Sequence, residues 1–178
     1  MKNPALPCLA ALCLAACVDR MSVAPAQSYP QDLRVPAGQV LVLKAQATGV
    51  QVYECRAGQD DAAHFSWVLK APEAKLLDER GSPIGRHFAG PTWEAADGSR
   101  VIGEVKARSD SPDAGAIPWL LLSAKSNSGT GILGKVLSVQ RLNTVGGKAA
   151  ADGCDAAHTG AEQRVSYKAE YDFYAAGP

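Results

Sequence analysis

"QRVSYKAEYDFYA", residues 163–175, decides the fold class. Val165, Tyr167, Ala169, Tyr171 and Phe173 alternate with Ser166, Lys168, Glu170 and Asp172. An apolar residue at every second position marks a strand with one buried and one wetted face. The same strand-like pattern recurs upstream. "VLVLKAQA" (40–47) and "VQVYECRA" (50–57) read as two strands, or as one long strand bent at Thr48-Gly49. "FSWVLKA" (65–71) is another, and "ILGKVLSVQRLNT" (132–144) precedes the last. "AIPWLLLSAKS" (116–126) is apolar on both faces and reads as a well-buried strand, with Pro118 placed at its start because proline removes a ladder donor. In "PTWEAADGSRVIGEVKAR" (91–108), Asp97-Gly98 separates two strand-like runs and predicts a hairpin. No helical stripe of convincing length interrupts the series. The expectation is an all-β, single-domain antiparallel β-sandwich or barrel of about eight short strands.

The chain has 178 residues, 47% of them apolar and 20% charged, which suits one folded domain with a sizeable core. Eighteen Lys plus Arg balance eighteen Asp plus Glu, so no net field favours nucleic acid or an anionic membrane surface. No nucleic-acid partner is expected.

The first residues carry a different signal. "MKNPALPCLAALCLAAC" has Lys2 and then an apolar run from Ala5 to Ala16, the length of a signal-peptide core and too short for a membrane span. Leu14-Ala15-Ala16-Cys17 resembles a bacterial lipobox, whose cysteine becomes the acylated first residue after cleavage. A plain secretory signal cut after Ala16 or Ala24 is the alternative. The lipoprotein reading gives a signal peptide at 1–16, a flexible tether at 17–37 and a β-rich domain at 38–176. Its membrane partner is reached through lipid at Cys17. Val18 rather than Asp follows the cysteine, which by resemblance to sorting signals implies an outer-membrane lipoprotein facing the periplasm, within the cell envelope.

Cys8 and Cys13 would leave with the leader and Cys17 would carry lipid. Cys55 and Cys154 remain, and an oxidising compartment favours a disulfide between them over two separate thiols. No CxxC or closely spaced Cys/His set predicts a metal site, and no cofactor is expected.

Several motifs bear on chemistry. "GTGILGKV" (129–136) has GxGxxG spacing, but Val136 stands where a phosphate loop needs Ser or Thr, and the segment that follows looks β-like. It reads as a glycine-rich turn, without nucleotide. No GxSxG elbow is present. Trp67, Trp93 and Trp119 sit in strand-like contexts, and core packing is expected for at least two of them. The ligand-binding candidates are His87, Trp93, Glu94, Arg141 and Asn143. Arg141 and Asn143 either face a ligand at a strand end, or Arg141 pairs with a carboxylate such as Glu170 and Asn143 starts a turn before Gly146-Gly147. In the first strand of the hairpin, Trp93 and Ala95 share the core face while Glu94 points out. His87 is expected at a rim beside that hairpin. There it would be ornament, part of a binding edge, or the base of a small exported hydrolase with Glu94 or Asp97.

Five blocks, "GVQVYEC", "GRHFAGPTWEAADGS", "IPWLLL", "VQRLNTVGG" and "YKAEYDFY", together resemble the family known as domain of unknown function 3455, of bacterial and fungal exported proteins, from about Val35 to Tyr174. The resemblance implies a small exported β-rich domain and brings no activity or catalytic residue with it. The functional expectation is a lipid-anchored binding or structural module of the envelope.

Overall fold

The computed structural model describes residues 29–178. The expected signal peptide and the lipidation residue Cys17 lie outside the described residues. Eight antiparallel strands follow one another round a closed barrel: β1 (Gln39–Ala57), β2 (Phe65–Leu77), β3 (Pro83–Phe88), β4 (Thr92–Ala95), β5 (Arg100–Ser109), β6 (Trp119–Ser128), β7 (Val136–Gly146) and β8 (Glu162–Ala176). Each strand pairs with its sequence neighbour, and β8 returns to β1. The all-β expectation is met, as the barrel of the two architectures it allowed.

β1 is one strand of 19 residues, not two. Its irregularity falls between Val52 and Tyr53 rather than at Thr48-Gly49. β2 runs six residues past the apolar block that announced it. β3 has no counterpart among the expected strands. Its register sets Gly85 beside Leu76 and Ala95, and His87 beside Ala74 and Trp93, so its inward residues are glycine and histidine. A strand whose core face carries those two types has no apolar alternation to read. The hairpin around Asp97-Gly98 is present as β4 and β5. Pro118 stands just before Trp119, the first residue of β6. Residues 132–135, expected as the start of a strand, form a 3-10 turn instead.

Alternate loops of a meander gather at the same end. Segments 58–64, 89–91, 110–118 and 147–161 surround one end, called here the mouth; 78–82, 96–99 and 129–135 surround the other. The far end is sealed. Leu133 and Val136 are fully buried in the core with Trp93, Val101, Val139, Tyr171 and Phe173. Asp97 secures the seal by accepting from the Ile132 N–H at 2.8 Å and the Ser99 N–H at 2.9 Å, and Ser99 Oγ accepts from the Leu133 N–H at 3.0 Å. Asn127 Nδ2 donates to the carbonyls of Leu133 and Val136. The "GTGILGKV" segment is therefore a turn and plug between two strands.

A second apolar cluster lies outside the barrel wall. Trp119, Leu121 and Leu142 pack with Leu33, and Tyr29, Val35 and Ala107 cover them. Gln140 Nε2 donates to the Leu33 carbonyl at 2.5 Å. The described part of the expected tether, residues 29–37, thus lies against β5 to β7, because the outer face of β6 carries Trp119 and Leu121 where a barrel strand is ordinarily polar.

At the mouth, the loop from β7 to β8 is held down by several ties, backbone bonds of Gly160 and Ala161 to Cys55 among them. Cys55 and Cys154 form a disulfide across 99 positions of sequence. Trp67 Nε1 donates to the Asp152 carbonyl at 2.8 Å, and the Tyr53 hydroxyl donates to the Gly147 carbonyl at 2.7 Å. Reduction, or Cys154→Ser, should destabilise the fold by up to about 4–5 kcal/mol on loop-closure entropy, read as a drop in denaturation midpoint. Gly98 closes the β4–β5 turn at φ +82° with open space around a notional Cβ. Gly98→Ala should therefore cost about 1 kcal/mol or more through backbone strain alone, measured the same way.

Candidate functional site

The barrel is filled at its sealed end and hollow towards its mouth. The hollow has a volume of ≈ 590 Å³ and runs down to Trp93, Tyr171 and His87. That is the size of a small-molecule site. Eight-stranded barrels have interiors just wide enough to be filled by side chains or to hold one small ligand, and this one does the first below and leaves room for the second above.

Strand alternation explains the floor. His87 on β3, Trp93 on β4 and Tyr171 on β8 all point inward, and their rings meet. His87 stacks on Trp93 with centroids 4.5 Å apart and planes 9° apart. Tyr171 stands edge-on to both, at 5.1 Å and 5.3 Å. Phe173 closes the group beneath Trp93 at 6.0 Å. Gly103 makes room for this. A Cβ there would sit 2.9 Å from Trp93 Cζ3 and 3.0 Å from Leu122 Cδ2, so β5 presents bare backbone to the indole.

The histidine expected at a rim is 3% exposed and belongs to this floor. Its Nδ1 lies 2.9 Å from the Thr92 carbonyl oxygen, which only an N–H at that atom satisfies. Burial outweighs that bond and lowers the imidazole pKa to about 3, so the ring is neutral. Glu94 lies on the opposite face of β4. It pairs outside the barrel with Arg86 at 2.9 Å and with Arg100, and although burial works against its charge, the two guanidiniums hold the carboxyl below its usual range. Asp97 is at the sealed end. Neither carboxylate meets His87, and the acid–base pairing expected of a hydrolase has no geometry here: in a strand, residues of opposite parity face opposite sides of the sheet.

Arg141 enters the hollow from β7, opposite Tyr171 in the register. Its Nε donates to the Pro118 carbonyl at 2.9 Å. Among the described residues no carboxylate lies within salt-bridge distance of it. The alternative pairing with Glu170 is not made, because Glu170 is on the outer face, where Lys44 Nζ reaches it at 2.7 Å. Asn143 sits at the irregular stretch of β7, at φ +50°, and does not line the hollow. Asparagine is among the few side chains that tolerate that conformation.

Sequence reasoning missed the other polar residues of the hollow. Gln51 is 1% exposed and its Nε2 has no hydrogen-bond partner. Trp93 Nε1 likewise has none, whereas the Tyr171 hydroxyl lies beside the Tyr167 hydroxyl and the Arg141 guanidinium. Burial raises the Tyr171 and Tyr53 phenols above their ordinary pKa, against the pull of Arg141. Leu69 and Val105 stand at the entrance, each 50% exposed. Gln51 alone offered a signal, as a polar residue on the core face of an otherwise apolar strand.

The buried neutral imidazole makes stability depend on pH. An unfolded histidine takes a proton near pH 6.5 and the folded His87 only near 3, so between those values the unfolded chain binds more protons. Its contribution is intact above pH 6.5 and falls by about 1.4 kcal/mol per unit as the pH drops towards 3. Denaturation series at several pH values should show that slope, and His87→Phe should flatten it by about that amount.

Among curated proteins and among solved structures, nothing matches the chain. A family model does match, over residues 36–175, which span β1 to β8 and every residue of the hollow. The chain belongs to the family described as Protein of unknown function (DUF3455).

Proposed function

We propose that this protein is an exported, lipid-anchored binding module of the cell envelope whose barrel holds a small organic molecule. The hollow of ≈ 590 Å³ carries the reading, because a few polar side chains, Gln51, Tyr53 and Arg141 among them, line an otherwise apolar space, and Gln51 Nε2 has no partner in the protein. Leaving such groups unpaired costs on the order of 1–3 kcal/mol each, a cost that a ligand or water relieves. Apolar walls supply contact area, and a few fixed polar groups supply orientation. The anchor follows from Leu14-Ala15-Ala16-Cys17, and an acylated Cys17 would hold the barrel at the outer membrane, facing the periplasm.

Leu120 lines the hollow, and a larger side chain there fills it. The full-length protein should bind naphthylacetamide, a neutral flat probe, at one site per chain by calorimetry. Leu120→Trp should abolish that binding while the disulfide forms and unfolding stays cooperative. Undiminished binding in the variant places the probe elsewhere and sinks the reading. The anchor is tested separately: in a lipoprotein-producing bacterium, Cys17→Ser should move the protein from the membrane to the soluble fraction and remove the mass of its acyl chains.

A further inference from the structure

Resting on the cavity reading above, we propose that the ligand is an organic monoanion, a flat apolar body bearing one carboxylate, with its charge held by Arg141 and its body against the His87–Trp93–Tyr171 rings. Three observations converge on this chemistry.

The first is an uncompensated charge. Arg141 reaches the hollow, and its Nε donates to a neutral backbone carbonyl. A guanidinium taken partly out of water asks for an anion, and its planar fork matches a carboxylate. The neighbours that might have supplied negative charge are neutral: burial pushes the Tyr171 and Tyr53 phenols up, and His87 carries no charge at neutral pH.

The second is the sense of the polar side chains in the lining. Gln51, Trp93 and Arg141 line the hollow, and each bears N–H groups. The lining is rich in donors, which acceptor oxygens satisfy and an ammonium does not.

The third is the charge of the lining itself. Arg141, Arg108 and Lys148 line the hollow against the carboxylate of Asp110, while Lys70, also in the lining, is paired with Glu162 and Glu54. The chain as a whole has no net charge, so this excess is local to the lining. It favours an anion inside. The shape selects the rest of the molecule: stacked and edge-on rings below, and Leu69 and Val105 at the entrance, suit a flat apolar body.

The test uses three probes of one shape and different charge on the full-length, disulfide-intact protein: naphthylacetate, naphthylacetamide and naphthylethylammonium, by calorimetry at pH 7.5. Naphthylacetate should bind at least about ten-fold more tightly than the amide, as one charge-assisted contact implies, with the ammonium weakest. Arg141→Gln should bring the acid down to the level of the amide, abolishing the difference between the two, while disulfide formation and cooperative unfolding show that the variant is folded. Should Arg141→Gln not fold, Arg141→Lys and the wild-type series decide, since a retained cation keeps a reduced preference for the acid. Equal binding of acid and amide, or preference for the ammonium, overturns the monoanion while leaving the cavity reading intact. Binding of none of the three overturns both.

Discussion

The pairing of β1 with β8 closes the sheet, running from Gln39 beside Ala176 to Glu54 beside Glu162. Without it the meander would leave two long edges, each a row of unpaired backbone donors and acceptors. With it, every inward side chain is committed to one enclosed volume. The length of β1 follows from this role. It pairs with β8 from Gln39 to Glu54 and with β2 from Gln46 to Ala57, with an offset in each ladder, between Leu41 and Leu43 against β8 and between Val52 and Tyr53 against β2. The disulfide lies beyond the end of that ladder, where Cys55 meets the loop that leads into β8.

Closure divides the interior. Towards the sealed end the inward residues are apolar, and the plug around Leu133 excludes water. Towards the mouth the same strands present Gln51, Tyr53, His87 and Arg141. A barrel packed to the top would leave no place for these groups. Polar atoms in a dry core cost free energy unless paired, and three of the four are paired with backbone carbonyls: Tyr53 with Gly147, His87 with Thr92 and Arg141 with Pro118. The Trp93 ring is core, against Phe173 and Gly103, while its Nε1 has no partner.

The outer wall has its own departure from the usual polar face. Trp119, Leu121 and Leu142 would be wetted if the segment carrying Leu33 did not cover them. Gln140 couples this cover to the wall, donating to Leu33 and accepting from the Tyr174 hydroxyl at 2.8 Å. Residues 29–35 precede the part of the chain that the family model matches, yet they pack as part of the barrel.

Alternation in β8, the Asp97-Gly98 turn and the pairing of Cys55 with Cys154 were legible in the sequence because each rests on a local or countable property: a period, a backbone preference, the number of cysteines outside the expected leader. Trp93 as a core residue and Glu94 as an outward one followed from the same parity. β3 was not legible, since Gly85 and His87 on its inner face carry no apolar signal and its existence depends on partners in β2 and β4. The candidate site was half visible. His87, Trp93 and Arg141 stood out by type, but whether they met could not be read, because their nearness is set by barrel register across β3, β4, β7 and β8. Tertiary structure put His87 on Trp93 and away from Glu94, and Arg141 beside Tyr171 and away from Glu170. The physical reason is the pleat: one residue's step along a strand exchanges the enclosed interior for solvent, and only the closed sheet determines which inward residues then share a wall.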